Sequence, residues 1–342
     1  MPDILRIVLK RPYLLLVGDE RDRHYAKTGL GIVHWRRDAV AGQLRFSEDA
    51  VDLGVPDLDL ETAAANGVGS LVVSVATIGG KVPDSWSDVM REAAAAGIDV
   101  VSGMHTKLAD DPAIVAAAKA SGARLIDVRT PPKDLPVGTG RKRSGMRILT
   151  VGTDCAIGKK YTALSLHAAL RKAGMNSTYR ATGQTGIIIA GEGMPIDAVV
   201  ADFISGAAEV LSPDNDADHW DVIEGQGSLF HPGYAGVSMG LMHGSQPDGF
   251  VVCHDATRKT VDGWEHFGLP ELDEAIDLHQ RVARRTNPRA RCVGISVNTS
   301  ALPADTRISY LETLRVKHGV PAVDPLIDGC GDIVDFIRQS FA

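Results

Sequence analysis

The chain has 342 residues and a net charge of −7, from 36 Lys and Arg against 43 Asp and Glu. At roughly 100–200 residues per domain this length predicts two domains with sizeable cores, so neither disorder nor disulfide stapling is needed. The acidic balance argues against nucleic acid as a partner, since such binders carry a basic footprint, while a local basic pocket for a small anionic ligand stays open. Glycine is abundant at 36 residues and aromatics are scarce at 5%, which points to tight backbone turns around small ligands. Cys155, Cys253, Cys292 and Cys330 have no CxxC spacing and read as packed thiols in a reducing compartment. No signal-peptide apolar region is read near the start, and Leu14–Val17 is too short to span a bilayer. A cytoplasmic protein with no membrane partner is therefore expected.

In chain order, apolar runs alternate with helical patterns, the mark of parallel βα units. Strands are expected at Leu14–Val17, Leu71–Val75 (closed by Gly79-Gly80), Val100–Ser102 and Leu125–Val128, with helices at Trp86–Ala96 and Pro112–Ala120. These units predict a small Rossmann-like domain over residues 1–130. Pro131, Pro132, Pro136, Gly138 and Gly140 then interrupt regular structure, so 131–146 reads as a linker. Its basic run Arg141-Lys142-Arg143 reads as a solvated face, or alternatively as an arm wrapped toward an anionic ligand. The second domain, 147–342, is expected to hold strands at Arg147–Val151, Ser177–Ala181, Asp221–Ile223, Phe250–His254 and Cys292–Val297. Helices are expected at Lys159–Ala173, Ile196–Leu211, Glu271–Arg284 and Ala304–His318.

The first strand of that domain runs into Gly152-Thr153-Asp154-Cys155-Ala156-Ile157-Gly158-Lys159-Lys160-Tyr161. Strand, glycine turn and helix in this order make a phosphate cradle: backbone N–H groups point inward, the helix N-terminus adds positive potential, and Lys159 supplies a point charge. The spacing departs from G-x4-G-K-[ST]. Five residues separate Gly152 from Gly158, and Lys160 stands where a Mg²⁺-binding hydroxyl belongs. The loop is thus expected to hold phosphate or pyrophosphate without being equipped for Mg-nucleotide hydrolysis.

Ligands of parallel α/β sheets sit beyond the carboxyl ends of the strands, which selects Thr182–Gly186, Glu224–Gly233, Asp255–Lys259 and Asn298–Ser300. Glu224, at a strand end, is the first candidate for general base, and His231 is the nearest imidazole. Arg180 and Arg258 could clamp carboxylates, with Gln184, Thr185, Gly225 and Gln226 lining the same substrate site. Cys155 reads as a small packing residue of the loop. No Cys/His cluster has metal-ligand spacing, so no metal is expected.

The segment Gly152–Lys159 resembles the phosphate loop of dethiobiotin synthetase, and Glu224-Gly225-Gln226-Gly227 resembles that group's second glycine motif. Taken together, Gly152–Thr162, Ala181–Gly186, Glu224–Gly236 and Gly294–Asn298 resemble a bacterial and archaeal family long catalogued as a domain of unknown function. Members of that family have been assigned as D-glutamate N-acetyltransferases. The resemblance implies an α/β chain of two domains, a small Rossmann-like one and a P-loop NTPase-like parallel sheet. It also implies an acyltransferase that moves acetyl from acetyl-CoA to an acidic amino acid, with the loop on the CoA phosphates and Glu224 or His231 as base. Backbone N–H groups around Gly225–Ser228 would then serve the oxyanion. The alternatives are an Mg-ATP ligase or kinase-like enzyme, with Asp154, Glu224 and Thr162 on Mg²⁺ and Asn298 on adenine, or a nucleotide-binding regulator. A homo-oligomer is expected by default.

Overall fold

The computed structural model of the protein describes residues 3–76 and 82–341, so the expected Gly79-Gly80 closure lies outside the described residues. Two compact units divide the chain. One is Leu5–Thr130 together with Gln184–Pro195; the other is built mainly from Pro131–Gly183 and the chain from Ile196 on.

The first unit contains β1 (Leu5–Arg6), β2 (Tyr13–Gly18), α1 (Lys27–Arg36), β3 (Val40–Arg45), α2 (Leu60–Ala65), β4 (Ser70–Val73), α3 (Asp84–Ala95), β5 (Asp99–Ser102), α4 (Pro112–Ser121) and β6 (Leu125–Asp127). Five strands form a parallel sheet in the order β3-β2-β4-β5-β6. Strand β2 is buried along its whole length, as a parallel strand covered on both faces must be, which is why it reads as an unbroken apolar run. Leu14, Leu16, Leu71, Val73, Trp86, Met90 and Ile114 share one core. Gly18 has φ +65°, and a Cβ there would lie 2.3 Å from the Trp86 indole nitrogen, which itself donates to Asp19 at 2.8 Å. Helix α4 is bounded by local chemistry: Asp111 accepts from the Ala113 and Ile114 amides, Pro112 opens the first turn, and Gly122 closes it in the left-handed region. Strand β3 carries no apolar signature because its Gln43 is polar. That side chain is nonetheless buried, donating to Asp52 at 2.8 Å and accepting from the Leu53 amide at 2.8 Å.

The second unit contributes β7 (Met146–Gly152), α5 (Lys159–Lys172) and β8 (Ser177–Arg180). The excursion α6 (Gln184–Ala190) and β9 (Glu192–Gly193), the latter paired with β1, belongs to the first unit. Then come α7 (Ile204–Leu211), β10 (Trp220–Ile223), α8 (Ala235–Ser245), β11 (Gly249–Asp255), β12 (Thr260–Val261), β13 (Trp264–Gly268), α9 (Leu272–Arg284), β14 (Arg291–Asn298), α10 (Ala304–His318), β15 (Ala322–Val323) and α11 (Gly331–Phe341). Six strands form a parallel sheet in the order β15-β14-β11-β7-β10-β8, while β12 and β13 make a separate antiparallel hairpin. Strand β7 is central, and the chain leaves it first to one side and then to the other, so the switch point of the sheet lies at its carboxyl end.

Two expectations are corrected. The single helix expected over Ile196–Leu211 is two 3-10 turns, Ile196–Ala198 and Ala201–Phe203, followed by α7; the β-branched Val199 and Val200 between the turns lower helix propensity there. The basic run Arg141-Lys142-Arg143 is a solvated face only in part, since Arg141 and Lys142 are exposed and Arg143 is not. Arg141 pairs with Asp214 at 2.7 Å and Lys142 with Asp248 at 3.0 Å. Arg143 is buried and donates to the Gly244 carbonyl at 2.7 Å, and burial lowers its pKa to about 10. None of the described helices is long and apolar enough to cross a membrane.

Arg147, 1% exposed at the foot of β7, donates to the Ser212 hydroxyl at 2.8 Å and to carbonyls of Arg143, Ser144, Gly145 and Pro213. Its removal would strand those acceptors away from water. Arg147→Met is expected to lower unfolding stability by about 3–5 kcal/mol in denaturant titration.

Candidate functional site

The loop from Gly152 to Lys159 turns tightly at the carboxyl end of β7. Ala156 takes φ +50° and Gly158 φ +104°, the left-handed conformation that glycine adopts without strain. Ile157 is buried against Gly152, where a Cβ would approach its Cδ1 to 2.6 Å. The Thr153 amide donates to the Cys253 carbonyl at 3.1 Å, and its hydroxyl pairs with His254 Nδ1 at 3.1 Å. Lys159, the first residue of α5, is 7% exposed, and its Nζ donates to the Asp154 carbonyl at 2.6 Å. Lys160 lies 4.8 Å over the Tyr161 ring. The ten residues 152–161 thus run from the end of β7 through a turn into the start of α5, whose first two residues are cations at a helix N-terminus, the arrangement that favours an anion.

Asp154 organises this turn. Its carboxylate is fully buried and accepts from the Cys155 amide at 2.6 Å, from Arg258 Nη1 at 3.0 Å and from the Asp262 amide at 2.9 Å. Arg258 also donates to the Cys155 carbonyl at 2.9 Å. Asp262 connects β12 to β13, so one carboxylate ties the loop to the hairpin.

Glu224 lies just past the end of β10, beside β7. It is 4% exposed, and one oxygen accepts from the Tyr179 hydroxyl at 2.9 Å, the Thr182 amide at 3.0 Å and the Gly183 amide at 3.2 Å. Burial raises its pKa above the ordinary glutamate value, against lowering by the Thr182 amide, the charge of Lys160 and the Tyr179 hydroxyl. Burial and Glu224 push Tyr179 well up, so the phenol stays a donor. Gly225 donates its amide to Thr150 Oγ1 at 2.9 Å, which commits one of the expected oxyanion donors. Gln226 Nε2 donates to Thr182 Oγ1 at 3.2 Å.

His231 is 1% exposed, and burial lowers its pKa. Its Nδ1 accepts the Gly233 amide at 3.0 Å, so the neutral ring carries its proton on Nε2. That makes it a hydrogen-bond donor rather than a ready base. Ligating atoms of Asp154, Cys155 and His231 lie within 4.8 Å of one another, a spatial cluster that spacing along the chain does not reveal. Both Asp154 oxygens and His231 Nδ1 accept hydrogen bonds within the protein. Cys155 is half-buried; burial pushes Cys253 up to about 11 and Cys292 and Cys330 up to about 12.

The other expected site residues fall apart. Arg180 pairs with Asp221 at 2.8 Å, its side chain 12% exposed, as part of the strand rim. Gln184 and Thr185 are not loop residues but open α6, in the first unit. There Thr185 pairs with Thr28 at 3.0 Å, and Gln184 packs so closely on Gly103 that a Cβ would reach 1.6 Å from its Oε1. The ligands that an Mg-nucleotide would need are also engaged: Thr162 pairs with Ser296 at 2.7 Å and Asn298 donates to Asp255 at 2.9 Å. Tyr179, Asp262 and Trp264 belong to this neighbourhood and no motif marks them, while Thr182 and Tyr234 fall inside the stretches Ala181–Gly186 and Glu224–Gly236 without being given a role.

A glycine loop with a helix-opening lysine at the switch point of a parallel sheet defines a P-loop α/β protein. Residues 136–334 match the P-loop domain of the family described as a domain of unknown function, DUF1611, and residues 44–131 match its Rossmann-like N-terminal domain. The chain belongs to the DUF1611 family. It is 46% identical over 328 residues to a protein of Tritonibacter scottomollicae named D-glutamate N-acetyltransferase, covering 96% of this chain and 98% of that one. A Pseudoalteromonas protein of the same name is 44% identical over 326 residues, covering 95% and 98%. A solved DUF1611 family protein from Anabaena variabilis superposes with a TM-score of 0.88 at 32% identity, over 96% of this chain and all of that one.

Gly225 leaves no room for a side chain, since a Cβ would lie 1.7 Å from the Thr150 carbonyl oxygen. Gly225→Ala is expected to part β10 from β7 at the site and to cost about 3 kcal/mol in thermal or denaturant unfolding.

Proposed function

We propose that the protein is a D-glutamate N-acetyltransferase that uses acetyl-CoA, with the loop 152–161 on the phosphates of CoA. The observation that carries this reading is the near full-length identity, 46%, to a relative of that name. The loop supports it independently. Coenzyme A presents phosphates that are bound but never transferred, so they need charge and N–H donors rather than an Mg²⁺ hydroxyl. Lys160 in the hydroxyl position suits that task, and in the Mg-ATP alternative the expected Mg²⁺ ligands Asp154, Glu224 and Thr162 are each already hydrogen-bonded within the protein.

Acetyl transfer to an amine requires a base for the ammonium proton, donors for the tetrahedral oxyanion and a hold on the acceptor carboxylates. Glu224 is the base in this reading, because burial keeps its pKa raised and the ionised form can take a proton. Neutral His231 supplies an N–H donor. Arg258 holds an acceptor carboxylate, with Gln226 beside it. We place the enzyme in the cytoplasm, in keeping with four free thiols, and as a homo-oligomer.

Incubation with D-glutamate and acetyl-CoA is expected to release free thiol, and no release above background overturns the reading. Glu224→Gln is expected to lower kcat by about 10²–10⁴-fold with the KM for acetyl-CoA unchanged. A rise in that KM with kcat intact would instead place Glu224 in the cradle, acting through Lys160. Only ionised Glu224 accepts a proton, so the acid limb of kcat/KM should lie above the ordinary glutamate value of about 4.3 and vanish in Glu224→Gln.

A further inference from the structure

Three rings meet beside the loop, in a chain where aromatics are only 5% of residues. His231 stacks on Tyr234 with centroids 4.4 Å apart at 30°, and Trp264 meets His231 edge-on at 4.5 Å. Tyr234 and Trp264 are 6.2 Å apart. The burial is uneven: His231 is 1% exposed but Tyr234 is 43% exposed. A cluster that served only packing would cover its rings, whereas this one turns a large aromatic surface to solvent.

The cluster is built onto the anion cradle. His231 reaches within 4.8 Å of Asp154 and Cys155. The hairpin that carries Trp264 is fastened to the same loop through the Asp262 amide on Asp154 and through Arg258, which precedes the hairpin. On the other side, Gly227 with φ +66° lets the chain pass the Tyr234 carbonyl, where a Cβ would lie 2.5 Å away. Phosphate donors and an open aromatic face side by side match the two halves of a nucleotide: charge for the phosphates and a π-face for the base.

Tyr234 and Trp264 meet at 78°, so one ring offers a face and the other an edge. We propose that the exposed Tyr234 ring is the stacking face for the adenine of the CoA whose phosphates occupy the loop, with Trp264 bounding it at an angle; the proposal rests on the acetyl-CoA reading above. His231 backs the Tyr234 ring and fixes its plane.

The test uses the full chain and two probes. Adenosine 3′,5′-bisphosphate carries the base and phosphates without the pantetheine arm, and inorganic pyrophosphate lacks the base. Tyr234→Leu is expected to weaken the bisphosphate by about 5- to 150-fold, the range for losing one base–aromatic stack, and Trp264→Leu by less. Pyrophosphate affinity should stay unchanged, which also shows that the variants fold, and Tyr234→Phe should keep both affinities. Equal losses for the two probes, no loss for the bisphosphate, or no bisphosphate binding by the parent chain overturn the proposal. If the bisphosphate behaves as expected while acetyl-CoA yields no thiol, the acyl-transfer reading fails and the stack stands. If Tyr234→Leu turns over acetyl-CoA with unchanged KM, the stack fails and the acyl-transfer reading stands.

Discussion

A carboxylate sealed from water needs a cation and hydrogen-bond donors around it, and Asp154 has them in Arg258 and in the amides of Cys155 and Asp262. The rest of the site depends on this arrangement. The Cys155 amide sets the entry to the turn, after which Ala156 and Gly158 take left-handed conformations. Arg258 reaches back from the end of β11, and the Asp262 amide brings the β12–β13 hairpin with Trp264 to the loop. Lys159 donates to the backbone carbonyl of the same residue. A single buried charge therefore holds together three segments that are distant in sequence.

The same site carries its electrostatics in side chains. Two lysines open α5, where the helix macrodipole already favours negative charge. Lys160 also sets a field on Glu224 that opposes the effect of burial on that carboxyl. In a loop that transfers phosphate, the position of Lys160 would carry a hydroxyl and the charge would come from Mg²⁺. In the proposed reading a monocation takes that position and holds phosphates that serve as a handle, while Glu224 takes the proton.

Much of the fold was legible because parallel strands buried on both faces read as apolar runs, as β2, β7, β11 and β14 do, and because Asp111-Pro112 and Gly122 mark helix ends by local chemistry. The loop was legible for the same local reason. Strand β3 was hidden by Gln43, whose burial is satisfied by partners nine and ten residues away. The segment after β8 looked like one glycine-rich loop, yet it divides at Gly183: Thr182 and Gly183 hold Glu224, while Gln184 and Thr185 open a helix of the other unit. The arginines were legible as cations but not as partners of Asp221 and Asp154, since ion pairs across strands leave no pattern along the chain. Tyr179, Tyr234 and Trp264 carried one usable signal, the rarity of aromatics, because a buried tyrosine hydroxyl needs an acceptor and an exposed ring needs a reason.

The central claim is that this loop binds acetyl-CoA through its own cations. Calorimetric titration of acetyl-CoA into the protein, once with EDTA and once with excess Mg²⁺, tests it most directly. The account predicts the same Kd in both, and no displacement of acetyl-CoA by Mg-ATP. Binding that appears only with Mg²⁺, or acetyl-CoA displaced by Mg-ATP, would contradict it.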